Sequence, residues 1–298
     1  MQHYFNVTRL PSRRNWFFSF LGSWFKSLNV TGWLIVFNVF IFIIESIAGF
    51  FNNADCSLTI CNYLALQPNN LFVNNYYWIL ITSIFSHGGF FHLFINMISL
   101  YFVGNFLEML IGKKRFFWLY IFSGILAGLF FAFFAFYFGD NWVRLRLFGN
   151  GNSFAVGASG AIFALAGVLA LLTPRNKVYL IAGPIIAIVI ESILGIVIKS
   201  SGFANLLSIL VSIYVFVCIF SMFSFDDRLR LIGLPIRMSF WILPFAAIIP
   251  LMIIGFFIAL PIGNMAHLGG LIAGLVYGFY LRLRYKKKTQ IISRYYTR

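Results

Sequence analysis

Charge is what this sequence most lacks. Lys, Arg, Asp and Glu together make up 10% of 298 residues, and only seven residues are acidic. Soluble domains carry about 25% charged residues, so an ordinary water-facing surface is excluded. Ten-residue segments of alternating hydrophobicity are missing too, which excludes a membrane β-barrel. Cysteine is scarce. Cys218 lies inside an apolar run and reads as a packing residue. Cys56 and Cys61 share one loop, where a local disulfide in an oxidising compartment and two free thiols both stay open.

What is present is apolar length. Hydrophobic residues make up 61% of the chain and aromatic ones 20%. Runs of about 20 apolar residues, long enough to cross a bilayer as helices, recur along it. The expected spans are about 32–51, 91–111, 116–138, 157–173, 178–198, 204–223, 240–260 and 264–281. The fold class is therefore all-α: a polytopic transmembrane helical bundle of about eight spans. Residues 32–281 form the membrane domain. Residues 1–31 are expected as a cytoplasmic or interfacial segment, and residues 282–298 as a basic cytoplasmic tail. Within the first segment, Phe17, Phe20, Leu21, Trp24, Phe25 and Leu28 fall on one helical face, as suits a helix lying in the interface.

The net charge of +15 comes from residues placed by topology. Nineteen of the 22 Lys and Arg fall in the tails and in every second loop, and the loop 52–86 has neither. That bias puts both termini in the cytoplasm. It points to membrane lipids as partners and away from nucleic acid. No small-residue cleavage site follows the basic start, so uncleaved entry into the first span is expected. The absence of an organellar presequence points to a prokaryotic plasma membrane.

Polar residues inside spans are expensive and mark function. Three stretches carry them, each at the outer end of a span. In "FSHGGFFHLFINMISLY", His92 and Asn96 are four apart and share a helical face, with His87 just before the helix. No Cys, Asp or Glu lies near enough to complete a usual zinc set, so neither a metal nor another cofactor is expected. In "GASGAIFALAG", Ser159 falls in the first turn of its span, where unpaired N–H groups favour negative charge. Gly157, Gly160, Ala164 and Gly167 give the same helix a small-residue face, and a plain packing role for the serine competes with a chemical one. In "NMAHLGGLIAGLVYG", His267 opens the last span and Gly270, Gly274 and Gly278 follow on its face. Close approach of this stripe to the Ser159 helix would join Ser159 and His267 at one depth. No acidic residue has a spacing that completes a triad, so a Ser-His dyad is expected.

Together these motifs resemble the rhomboid family of intramembrane serine proteases. "GNFLEMLIGKKRFFWLYIFSG" is also similar to that family's joint between its second and third helices. The resemblance covers about residues 30–173 and 226–281. It implies a serine-type endopeptidase that hydrolyses a peptide bond in or next to transmembrane segments of membrane proteins. Ser159 would be the nucleophile and His267 the general base. His92 and Asn96 would form the oxyanion hole, and Gly157 would sit against the substrate carbonyl. His87 would support local structure, and Phe163 would stack on the catalytic imidazole.

The resemblance also implies a six-helix core, and this chain departs from it by two extra spans, read as an inserted helical hairpin at 178–223; the substrate gate is expected at 240–260 with the loop Pro261–Asn264. The active site would face outward. A non-proteolytic membrane chaperone or client-binding scaffold on the same fold is the alternative. A transporter is the weaker one, because no broken spans repeat in two halves. Substrate identity and oligomeric state are not encoded in any motif.

Overall fold

The first long helix, α1 (Val30–Phe51), begins against a carboxylate from far along the chain. Glu108 accepts from the Val30 N–H at 3.0 Å, the Thr31 N–H at 2.8 Å and the Thr31 hydroxyl at 2.7 Å. A helix start leaves four N–H groups without partners, and here a buried acid takes up two of them. The same acid explains why a charge is tolerated in so apolar a chain. Thr31, Leu34, Asn38 and Glu45 are the buried residues of α1. Their offsets of 3, 7 and 14 trace one stripe turned into the bundle, while Phe37, Phe40, Ile43 and Ile47 lie on the exposed side.

These details come from a computed structural model that describes residues 28–51, 63–139, 142–198, 201–222, 224, 226–257 and 263–295. The expected interfacial helix before residue 28, the Cys56–Cys61 pair and, within the expected gate, residues 258–262 lie outside the described residues.

After α1 come α2 (Phe90–Ile111), α3 (Lys113–Phe138) and α4 (Ser159–Leu172). Then follow α5 (Ala182–Val197), α6 (Ser201–Ser221), α7 (Leu243–Phe257), α8 (Asn264–Arg284) and α9 (Lys286–Tyr295). Among the described residues five helices, α1, α2, α3, α6 and α8, are long and apolar enough to span a membrane. The apolar helices of α4, α5 and α7 are shorter. The protein is thus a multi-pass membrane helical bundle. A π-helical turn, Leu100–Gly104, interrupts α2 beside Thr31, where a Cβ on Gly104 would come within 3.0 Å of the threonine methyl. Gly112, at φ +83°, is the single residue between α2 and α3, a conformation that favours glycine.

One expectation fails at a boundary. Lys177–Ile181 is a strand, β1, paired antiparallel with Pro235–Ser239, β2. The spans expected from 178 and 240 therefore begin at Ala182 and Leu243. A short apolar run reads alike as strand or helix; here long-range pairing, from Ile181 with Pro235 to Lys177 with Ser239, decides it. Within the basic segment from 282, the chain is helical through Arg284 and again in α9.

The core is the trio α3, α4 and α8. α4 is buried along almost its whole length. A Cβ on Gly270 would lie 2.0 Å from the Gly160 carbonyl oxygen, and one on Gly274 would lie 2.0 Å from that of Ala164. On the other side of α4, a Cβ on Gly160 would lie 2.6 Å from that of Ala127 in α3. Lipid supplies no hydrophobic drive between helices, so such close backbone approach does the work. The expected glycine stripe of α8 is the surface that meets α4.

Candidate active site

Two segments outside the long helices aim the site. The loop before α2 carries Leu66, whose N–H and carbonyl exchange hydrogen bonds with Ala155 at 3.0 and 2.8 Å. Asn69 donates to the Gly151 carbonyl at 2.9 Å, and Gly157 donates to that of Ser83 at 2.8 Å. The strand-like approach to Ser159 is thus clamped along its length. At its end Gly157 takes φ +115°, a backbone state that L side chains rarely adopt. A Cβ there would also meet His92 Cε1 and Nε2 at 2.8 Å and Asn96 Nδ2 at 3.3 Å. Glycine is demanded twice, by backbone angle and by space.

Ser159 and His267, 108 residues apart, meet across the α4–α8 contact. His267 Nε2 lies 2.7 Å from Ser159 Oγ. Phe163, one turn below the serine, stacks on the imidazole with centroids 4.7 Å apart and planes at 30°. Among the described residues no carboxylate hydrogen-bonds His267. The arrangement is a hydroxyl and an imidazole held by aromatic packing.

His92 and Asn96 face Gly157 from α2. Asn96 is buried, and its Nδ2 has no hydrogen-bond partner in the described protein. A buried amide donor left unpaired costs about 1–3 kcal/mol. It is aimed at the same side of Gly157 as the His92 ring, so an oxygen carrying negative charge would find a donor there. His87 lies edge-on to His92, with centroids 5.2 Å apart. Its Nδ1 donates to the Phe85 carbonyl at 3.1 Å, which leaves Nε2 as the unprotonated nitrogen. Burial, and then the neighbouring His92, hold the His87 imidazole well below its ordinary range, at about 4.

One participant was not picked out by spacing. Glu45 of α1 accepts from the Ser86 hydroxyl and, at 3.3 Å, from the His87 N–H. It thereby pins the turn that leads into α2 and His92. Its signal in the sequence was an acid inside an apolar span; its partners are visible only in three dimensions. Among the acids expected within spans, Glu191 of α5 is partly buried.

A family model described as the Rhomboid domain matches residues 74–222, half of the chain. The chain belongs to the rhomboid family. The matched range takes in His87, His92, Asn96, Gly157, Ser159 and Phe163 and stops short of His267. "Rhomboid protein 1, mitochondrial" of Saccharomyces cerevisiae is 35% identical over 106 residues, 36% of this chain and 28% of its own. "Putative rhomboid protease YdcA" of Bacillus subtilis is 37% identical over 105 residues, 35% of this chain and 46% of its own. "Inactive RHOMBOID-like protein 8" of Arabidopsis thaliana is 46% identical over 57 residues, 19% of this chain and 16% of its own. The chain spans less than half the length of these relatives. They come from a yeast, a bacterium and a plant, so the prokaryotic membrane expected from the sequence draws no support from them. Rhomboid membership in general implies serine hydrolase chemistry inside membranes, and the family includes a member named as inactive.

Proposed function

We propose that this rhomboid is a working intramembrane serine endopeptidase that cuts transmembrane proteins by a Ser159–His267 dyad. The observation that carries the reading is the 2.7 Å contact between Ser159 Oγ and His267 Nε2, with donors of His92 and Asn96 on the adjoining side of Gly157. His267 accepts the hydroxyl proton as Ser159 Oγ attacks the scissile carbonyl. The oxygen of the tetrahedral intermediate takes its hydrogen bonds from His92, from Asn96 Nδ2 and from the Ser159 N–H. Each such donor supports roughly 100- to 1,000-fold in rate. His267 returns the proton to the departing amine, and water then releases the acyl group from the serine.

By the distribution of Lys and Arg, the chain ends are cytoplasmic and the dyad lies toward the outer face. The 14 residues of α4 rise about 21 Å, short of a hydrocarbon core about 30 Å thick. A serine at the head of so short a helix sits beneath the surface. A substrate helix must unwind to present its carbonyl there, so segments rich in weak helix formers are favoured. Residues 178–223 we take as an inserted hairpin. Phe94 of α2, two residues from His92, stacks on Phe216 and Phe220 of α6 at 5.6 and 6.1 Å. That contact puts the hairpin beside the helix bearing His92 and favours a role in admitting substrate.

The test is cleavage of a single-pass membrane substrate by the wild type, Ser159→Ala and His267→Ala, with fluorophosphonate labelling in parallel. Cleavage and labelling that need both residues support the enzyme. A folded wild type that neither cleaves nor labels supports the scaffold reading.

A further inference from the structure

A groove of about 450 Å³ runs between α3 and α8, on faces that the dyad does not use. Along α3 it is lined by Trp118, Leu119, Phe122, Ser123 and Leu126, and along α8 by Ala273 and Tyr277. Trp118 and Phe122 stack at 5.3 Å and make one aromatic wall. At one end only, the lining turns cationic, with exposed Lys114 and Arg115. No acidic residue lines it. The nearest acid in sequence, Glu108, is occupied at the start of α1.

Arg115 is held in place. Its Nη2 donates to the Tyr285 hydroxyl at 2.9 Å, and its guanidinium carbon lies 4.8 Å from the centre of that ring. Tyr285 is the break between α8 and α9, so the same contact brings the exposed Lys286 to the cationic end. A guanidinium has five donors, and one bond to Tyr285 leaves most of them for an anion.

The length fits one class of molecule. From Lys114 to Leu126 the helix rises about 18 Å, close to the roughly 15 Å hydrocarbon depth of one leaflet. We propose that this groove is a binding site for an anionic phospholipid of the leaflet on the Lys/Arg side. Its phosphate meets Lys114 and Arg115, and one acyl chain lies along Trp118, Phe122 and Leu126. A zwitterionic lipid would bring a cationic headgroup to the same two cations and is disfavoured. The site does not depend on the protease reading.

Trp118 serves as the reporter. The full chain is reconstituted in phosphatidylcholine containing a minor fraction of brominated phosphatidylglycerol or, in parallel, of brominated phosphatidylcholine. The Trp118 signal is taken as wild type minus Trp118→Phe. Each cation near an anionic headgroup favours it about fivefold, so with Lys114 and Arg115 together brominated phosphatidylglycerol should quench Trp118 at a concentration about 25-fold lower. Lys114→Gln with Arg115→Gln should abolish that preference, and Lys114→Gln alone, an exposed change, should reduce it if the pair disturbs folding. Millimolar inorganic phosphate should leave the preference intact. Equal quenching by the two lipids, or a preference unmoved by either variant, overturns the proposal. Loss of the preference to inorganic phosphate marks a soluble-anion site and overturns it as well.

Discussion

The most exacting consequence of this architecture concerns one hydrogen atom on Gly270. Replacing it with a methyl group puts a carbon 2.0 Å from the Gly160 carbonyl oxygen. Real Cβ contacts essentially never fall under 3.0 Å, so α4 and α8 must part by at least the difference, 1.0 Å. Neither partner is a flexible side chain; both are backbone. Gly160 follows Ser159 directly, and Gly270 is one turn from His267, so the parting passes to the 2.7 Å Ser159–His267 contact. A misplacement of about 1 Å costs roughly 100-fold in rate, and overpacking of this kind costs about 1–3 kcal/mol in stability.

Gly270→Ala should therefore fold and elute as the wild type does, melt lower, and lose about two orders of magnitude in kcat. Gly274→Ala makes the same 2.0 Å clash, with Ala164, one turn deeper. It should match the loss of stability with a smaller loss of turnover. Gly195→Ala meets nothing within 4 Å and should leave both unchanged. The assay is substrate cleavage in detergent at a temperature below the lowest melting point of the three. If Gly270→Ala keeps turnover within threefold of wild type, the backbone contact does not set the dyad's geometry.

The remaining expectations concern the surroundings of Ser159. Gly157→Ala adds strain at φ +115° and a carbon 2.8 Å from His92, so cleavage should fall at least 100-fold. Asn96→Ala should lower kcat by about 100- to 1,000-fold with little change in KM, since in the proposed mechanism its donor serves the intermediate. Glu45→Ala strands the Ser86 hydroxyl and the His87 N–H, at about 1–3 kcal/mol for each group. Glu45→Gln should recover most of that in thermal denaturation, because its amide can donate to Ser86 while its carbonyl accepts from His87. His87 is held neutral down to about pH 4 in the fold against an ordinary value of 6.5. The unfolded chain thus binds the proton first, and the stability His87 lends is complete above pH 6.5 and declines toward pH 4. The slope is at most about 1.4 kcal/mol per pH unit. Melting curves of wild type and His87→Gln across that window should converge as the pH falls.

The sequence alone decided what depends on solvent and on periodicity. Lipid tolerates few charges and no unpaired backbone, so scarce charge and long apolar runs led directly to a helical membrane bundle. Motif spacing put His92 with Asn96, and His267 with its glycines, because residues three or four apart share a helix face whatever the rest of the fold does. Tertiary structure decided everything that joins distant segments. It set β1 against β2 in place of two longer helices, and it gave Glu108 to the start of α1. It gave Glu45 to Ser86 and His87, partners 41 and 42 residues away. It also brought Ser159 within 2.7 Å of His267, a distance that no local pattern encodes because two whole helix backbones must touch to produce it.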